Sequence, residues 1–123
     1  MIPAELVASR EPVILVVEDE VLIRISVSDF LRSEGFNIIE AGNVREALSL
    51  LRAHAHIALV LTDINMSGEM EGLELIRKIR RSYPAIKVIA ASAYRINEPI
   101  EAAVIKPYSL QSLLAVVKSV LGR

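Results

Sequence analysis

The chain has 123 residues, the size of one domain, and we expect no second module within it. A composition of 53% hydrophobic and 24% charged residues is typical of a folded globular protein and excludes a disordered chain. With 14 basic and 15 acidic residues the formal net charge is -1, so no overall field favours nucleic acid or an anionic membrane.

The absence of cysteine, the composition of the first 11 residues and the length of the apolar runs give further expectations. Cysteine is absent from the sequence, which excludes disulfides and thiolate sites and fits a reducing compartment, so we expect a cytoplasmic protein. Residues 1–11 have neither the basic start nor the apolar centre of a signal peptide, and we interpret them as an N-terminal arm before a domain at 12–123. Apolar runs are much shorter than the roughly 20 residues that span a bilayer.

The first half of the chain alternates predicted strands and helices. Two segments are predicted strands, the second of them half exposed: Val13 to Val17 and Asn37 to Ala41. Apolar residues at helical spacing predict a helix after each: Ile23, Val27, Phe30 and Leu31, then Val44, Ala47, Leu48 and Leu51. Gly35 is placed to end the first helix, and Asn43 with Glu46 to cap the second.

The second half continues the alternation with one exception. Its predicted strands are Ile57 to Leu61, Lys87 to Ala91 and Ala103 to Ile105. Its helical patterns are Leu75, Ile76 and Ile79, then Leu110, Leu113, Leu114, Val117, Val120 and Leu121, with Ser109 as a cap. The segment from Ala93 to Ala102 is barely long enough for a crossover and contains Pro99, so we predict that its helix is missing or reduced to a turn.

Repeated strand–helix units predict right-handed crossovers and an open α/β fold, a doubly wound parallel sheet with helices on both faces. Such sheets bind ligands outside the carboxyl ends of their strands. Glu18, Asp19 and Glu20 follow the first strand and Asp63 follows the third. Carboxylates that meet at one edge repel each other unless a cation lies between them, and oxygen ligands suit Mg²⁺.

A simpler interpretation is that the first three acids only begin a helix, where they interact favourably with its dipole. It does not explain Asp63 at the end of another buried strand. Ser92 and Lys106 end the fourth and fifth strands, and the acids, a hydroxyl and an ammonium together indicate a site for a phosphoryl group.

Four motifs in order, VVEDE, LTDINM, Ser92-Ala93 and Lys106-Pro107, resemble those of the receiver domain of two-component response regulators, over residues 12–121. The resemblance implies a flavodoxin-like fold with five parallel strands in the order 2-1-3-4-5. It implies that Asp63 accepts a phosphoryl group from a sensor histidine kinase, so the chain is a phosphoacceptor and not a turnover enzyme, with slow autodephosphorylation at most.

The resemblance also assigns the remaining site residues. Mg²⁺ would be held by Asp19, Asp63 and the backbone carbonyl of Asn65, with Glu18 acting through water. Ser92 would move to the phosphoryl oxygen, and Lys106 would pair first with Asp63 and then with phosphate. The Lys106-Pro107 bond would be cis.

Three departures from the family pattern affect these expectations. Ser67 follows Met66 where the family has proline, and Gly72 comes one residue late, so the intervening loop is longer. The predicted loss of the helix before the fifth strand alters the face that usually carries output and dimerisation, and we expect a monomer. Ala103 replaces the usual aromatic switch residue, for which Tyr94 or Tyr108 are candidate substitutes.

The leading hypothesis is therefore a single-domain response regulator that acts as a signalling switch, phosphorelay component or phosphate sink, with a downstream protein target and no nucleic acid or membrane partner. The alternative is a receiver-like docking module that is never phosphorylated. A phosphohydrolase is disfavoured because Asn65 stands where such enzymes carry a second aspartate, and no P-loop is present. His54, His56 and the basic run Arg77 to Arg81 are interpreted as structural or solvated.

Overall fold

The computed structural model describes residues 12–66 and 72–123. Its strands are β1 (Val13–Val17), β2 (Asn37–Ala41), β3 (Ile57–Asp63), β4 (Lys87–Ser92) and β5 (Ala102–Ile105). Its helices are α1 (Val21–Ser33), α2 (Val44–Ala53), α3 (Gly72–Ser82) and α4 (Leu110–Leu121). The predicted N-terminal arm and the departure at Ser67 lie outside the described residues.

All five predicted strands are present, and two of them continue further than the sequence indicated. β3 extends to Asp63 and β4 to Ser92, so each of these polar residues is the last residue of its strand. The side chains that we predicted to follow the strands are therefore held by the sheet ladder itself. A strand buried on both faces restricts such a side chain far more than a surface loop does.

The strands form one parallel sheet in the order β2-β1-β3-β4-β5, which is the predicted flavodoxin-like fold. The strand order reverses between β1 and β3, where Val17 lies beside Thr62. Next in the sheet, Asp63 lies beside Ala91. The carboxyl ends of β1, β3 and β4 therefore meet at the switch point where ligands bind in folds of this kind.

Alternate residues along the strands β1 to β4 face two separate hydrophobic cores. Ile14 and Val16 face α1 and α4, whereas Leu15 and Val17 face α2 and α3. The helices supply the opposite sides of these cores through buried residues at helical spacing: Val27, Leu31, Leu113 and Val117 on one face, Ala47, Leu51, Leu75 and Ile79 on the other. None of the helices within residues 12–66 and 72–123 is long and apolar enough to cross a bilayer.

The predicted helix ends are confirmed. Gly35 adopts a φ of 93° directly after the cap of α1, a conformation in which glycine carries no steric cost. Asn43 Oδ1 accepts a hydrogen bond from the Glu46 N–H at 2.8 Å, and Ser109 Oγ accepts one from the Ser112 N–H at 3.0 Å. Caps of this kind stabilise a helix by about 1 kcal/mol each. The peptide bond between Lys106 and Pro107 is cis, as the resemblance implied.

The segment between β4 and β5, residues 93–101, is fully described and contains no helix, as predicted. Ile96 and Ile100 instead pack against the core beneath α2 and α3. Two ion pairs tie the same segment to α3, Arg77 to Glu98 at 2.8 Å and Arg80 to Glu101 at 2.7 Å. The interpretation of the basic run as a solvated face is thus incomplete, since two of its arginines hold this segment.

Candidate functional site

Asp63 is the centre of the polar site, and its side chain is only 6% exposed. Its Oδ1 accepts a hydrogen bond from Lys106 Nζ at 2.8 Å and another from the Asn65 N–H at 3.0 Å. The first bond joins the ends of β3 and β5, and the second bends the chain back just after β3. The carboxylate is therefore held in one orientation by an ammonium and a backbone amide.

Two more acids lie beside Asp63. Glu18, Asp19 and Asp63 can each offer an oxygen such that all three oxygens lie within 4.8 Å of one another. This follows from the sheet order, because β1 and β3 are neighbours and residue 18 comes immediately after Val17. Glu20 is exposed and lies at the N-cap of α1, so for this residue the simpler interpretation as a helix start holds.

The carboxyl groups lie close enough together to shift the pKa values of residues in the site. The pKa of Glu18 is raised to about 8, mainly by burial and also by the hydrogen bond and negative charge of Asp63, against an opposing effect from Lys106. Burial lowers the pKa of Lys106, but the hydrogen bond and charge of Asp63 outweigh this, and the pKa is raised overall. One ammonium thus faces three carboxyl groups.

A hard divalent cation fits this donor set. The three oxygens come from carboxylates, two of them buried, and buried like charges favour any cation that lies between them. Mg²⁺ prefers oxygen ligands of this kind and commonly retains several waters. Neither histidine that the sequence contains joins the group: His54 and His56 are exposed residues of the turn after α2.

Ser92 lies one position beyond Ala91, the sheet neighbour of Asp63, and is completely buried. Its Oγ accepts a hydrogen bond from the Tyr94 N–H at 3.2 Å, and its carbonyl accepts one from the Lys106 N–H at 2.8 Å. The hydroxyl is therefore linked to the start of the 93–101 segment, and the carbonyl to the residue that pairs with Asp63.

The two tyrosines considered as aromatic substitutes occupy different places. The Tyr94 side chain is exposed. Tyr108 is half-buried beside the acids, where burial and the charge of Glu18 raise its pKa. Ala103, at the usual aromatic position, is exposed on β5. Tyr108 thus places an aromatic side chain next to the site, whereas Tyr94 contacts the site only through its backbone N–H, which donates to Ser92 Oγ.

A groove of about 870 Å³ leads from the surface to Asp63, Glu18 and Lys106. Its walls are mostly apolar and come from the first turns of α1, the segment before α4 and the first residue of α4: Leu22, Ile23, Val27, Pro107, Tyr108 and Leu110. Leu22 is 83% exposed and Ile23 is 40% exposed. Ile23 is one of the residues whose spacing predicted this helix, and it lies in the first turn, partly exposed at the groove.

Sequence reasoning did not find the contacts that two residues, Gly72 and Arg24, make with the site. A Cβ added at Gly72 would lie 2.5 Å from the carbonyl oxygen of Asp63 and 2.8 Å from Cα of Ile64, so α3 begins in direct contact with the end of β3. Arg24 donates from Nη1 to the carbonyl oxygen of Glu18 at 2.8 Å. Each contact joins the end of a strand to the helix that follows it, and the only local signal was a glycine at a helix start.

Comparison with known proteins gives a consistent family. Residues 14–118 match the family model described as the response regulator receiver domain. The sensor kinase CckA of Brucella abortus is 34% identical over 124 residues, which cover 94% of this chain and 13% of that protein. The response regulator FleR of Pseudomonas aeruginosa is 32% identical over 85% of this chain and 23% of its own length. The chain thus spans less than a quarter of these curated relatives.

Solved structures of response regulator proteins are similar to this chain in both fold and sequence. A response regulator receiver protein from Pseudomonas putida is 30% identical, with a TM-score of 0.80, and the match covers 89% of this chain and 97% of that one. The response regulator TrrA of Thermotoga maritima, solved in complex with Mg²⁺-BeF, is 32% identical, with a TM-score of 0.79 over 89% of this chain and 98% of its own.

Proposed function

Because the chain belongs to the receiver domains of response regulators, we propose that Asp63 accepts a phosphoryl group from a phosphohistidine of a sensor histidine kinase, in a reaction that depends on Mg²⁺. The observation that carries this proposal is the position of Asp63. It is a buried carboxylate at the base of an open groove, with a lysine ammonium on one side and two further acids on the other.

In the transfer, a carboxylate oxygen of Asp63 forms a bond to phosphorus as the bond from phosphorus to the histidine nitrogen breaks. The electron pair of that bond stays on the imidazole, which leaves neutral after taking up a proton. Lys106 donates to the phosphoryl oxygens on which negative charge accumulates, and Ser92 donates its hydroxyl to another. The buried end of β3 fixes the nucleophile so that little reorganisation is needed.

Glu18, Asp19 and Asp63 are the residues that would hold Mg²⁺, together with the backbone carbonyl of Asn65. The ion supplies positive charge that lowers repulsion between the carboxylates and the incoming phosphoryl group. Glu18 is poorly suited to bind the cation directly, since its raised pKa favours the protonated form at neutral pH before the cation arrives. This agrees with a role for Glu18 through water.

The phosphoryl donor reaches Asp63 through the groove. Its apolar rim, which includes the highly exposed Leu22, suits an apolar helix face of a kinase that presents the phosphohistidine at the centre. The Brucella abortus relative, a sensor kinase, contains a region similar to this chain, which supports a place for the protein in histidine kinase signalling. We further propose that the protein is a phosphorelay component located in the cytoplasm. In this proposal it acts as a monomer on a protein target.

The test is intact mass measurement after incubation with acetyl phosphate, with Mg²⁺ or with EDTA. The parent and Asp29→Asn, which changes an exposed aspartate of α1, should each gain one phosphoryl group when Mg²⁺ is present. Asp63→Asn should gain none. Failure of the parent to gain mass, repeated with purified histidine kinases, would leave the docking module as the better account.

A further inference from the structure

Arg24 connects the acidic loop to the neighbouring strand β2. Its Nη1 donates to the carbonyl oxygen of Glu18 at 2.8 Å, and its Nε lies 3.4 Å from Oε1 of Glu40. The side chains of Arg24 and Glu40 are 20% and 25% exposed, so the guanidinium is largely enclosed. A single side chain near the start of α1 thus contacts the residue that precedes Asp19.

The bond to the Glu18 carbonyl completes the restraint of that residue. The Glu18 N–H donates to the carbonyl of Ala41 at 3.0 Å, so β2 holds one peptide group and Arg24 holds the next. The second peptide group joins Glu18 to Asp19, and its orientation sets the directions of both side chains. Hydrogen bonds from a charged donor are among the stronger restraints available to a protein.

The surroundings of Arg24 fix the guanidinium in turn. A Cβ at Gly42 would lie 3.0 Å from Nη1 of Arg24, so the glycine leaves the space that the guanidinium fills. The Gly42 N–H is itself held by Oε1 of Glu46 at 2.6 Å. The end of β2 and the capped start of α2 therefore form a rigid support on the side of Arg24 away from the acids.

We propose that Arg24 is a positioning residue for the acidic site: it aligns Glu18 and Asp19 so that they and Asp63 bind Mg²⁺ together. This inference rests on the proposed function for the identity of the cation. It assigns Arg24 no contact with the metal or the phosphoryl group. Residues that orient metal ligands typically change metal affinity by about 10-fold to 100-fold when removed.

The test compares Arg24→Met with Arg32→Met in the full chain. Arg32 donates to the same carboxylate of Glu40, at 3.0 Å, and to the carbonyl of Ile38, but none of these bonds is to Glu18. Isothermal titration with Mg²⁺, without any phosphoryl donor, should show affinity about 10-fold weaker for Arg24→Met. Arg32→Met should match the parent, although both variants lose an ion pair to Glu40.

A second readout requires no metal. Amide hydrogen exchange at Asp19 and Glu20 should be faster in Arg24→Met than in the parent and unchanged in Arg32→Met. Arg24→Lys, which keeps a charged donor, should recover part of the Mg²⁺ affinity. Equal Mg²⁺ affinity and equal exchange in Arg24→Met and Arg32→Met would overturn the inference. A parent that binds no Mg²⁺ would also overturn it. Failure of phosphorylation in a parent that does bind Mg²⁺ bears only on the proposed function and is detected separately by mass.

Discussion

Lys106 Nζ lies 2.8 Å from Oδ1 of Asp63, although 43 residues separate the two in sequence. Asp63 ends β3 and Lys106 directly follows β5, and these two strands are not neighbours because β4 lies between them. The Asp63 side chain is 6% exposed and the Lys106 side chain 34% exposed, so the lysine is the more accessible partner of the pair. An incoming phosphoryl group therefore meets the ammonium as it meets the nucleophile.

Replacing Lys106 should slow the phosphorylation of Asp63 and leave the fold largely unchanged. Lys106→Met removes the cation that stabilises charge on the transferring group, and we expect the rate with acetyl phosphate and Mg²⁺ to fall about 100-fold. The measurement is the time course of mass gain. Lys118→Met, an exposed lysine near the end of α4, is the matched control. Equal rates for the two variants would exclude an electrostatic role for Lys106.

The stability of the metal-free protein should decrease with rising pH because of Glu18. Its pKa in the folded protein is raised from 4.5 to about 8, so the folded protein retains a proton that the unfolded chain has released. The unfolded state then binds fewer protons, and the free energy of unfolding falls as pH rises between these two values. Above the folded pKa the contribution of this group to the slope ends.

Urea unfolding in EDTA across that pH interval measures the effect. Glu18→Gln lacks the titrating group and should show a flatter dependence than the parent. Mg²⁺ binds the carboxylate form in competition with the proton, so its stabilising effect on the parent should grow toward the upper end of the interval. An unfolding midpoint that rises with pH in the parent, or an identical slope in Glu18→Gln, would contradict the assigned environment.

Much of the fold followed from local sequence patterns. The buried strands, the caps at Asn43 and Ser109 and the missing helix before β5 all depend on residues close together in the chain. The meeting of Asp19 and Asp63 could be predicted as well, because carboxyl ends of parallel strands share one edge of a sheet. These features need only periodicity, turn chemistry and topology.

The supporting contacts could not be predicted in the same way. Arg80 and Glu101 lie 21 residues apart, and nothing in either local pattern selects that partner among the many charged residues. The exposure of Leu22 depends on what packs beside the start of α1, which is a property of the assembled fold. Each of these contacts depends on the distance between elements, which periodicity does not encode.

Gly72 provides a steric test of the link between α3 and the nucleophile. In Gly72→Ala the new Cβ would lie 2.5 Å from the Asp63 carbonyl oxygen, and backbone atoms must move to relieve the contact. We expect both a lower unfolding midpoint and slower phosphorylation, since Asp63 itself is displaced. Gly122→Ala is a useful control, because its φ of 73° is strained for alanine but no atom lies within 4 Å of the new Cβ. It should lose some stability and keep the parent phosphorylation rate.

Glu101 should be the main attachment of the 93–101 segment. Its Oε1 accepts from Arg80 at 2.7 Å and from the Val88 N–H at 2.6 Å, so Glu101→Ala removes the acceptor of a backbone amide as well as an ion pair. We expect the free energy of unfolding to fall by about 1 to 2 kcal/mol. Urea unfolding measures it, and faster hydrogen exchange at Val88 should accompany it. Arg77→Met breaks only the exposed pair with Glu98 and should change little; an equal loss in both variants would contradict this ranking.

The groove rim should matter more for a protein donor than for a small one. Leu22 is 83% exposed at the mouth of the groove, and Leu22→Asp places a charge where an apolar helix face would bind. Transfer from the purified histidine kinase that phosphorylates the parent fastest should fall much more than transfer from acetyl phosphate, since the small donor needs no contact with the rim. Ala53→Asp, an exposed alanine of α2 on the opposite face of the sheet, should leave the ratio of the two rates unchanged. If Leu22→Asp also leaves that ratio unchanged, the kinase approaches Asp63 without contacting Leu22.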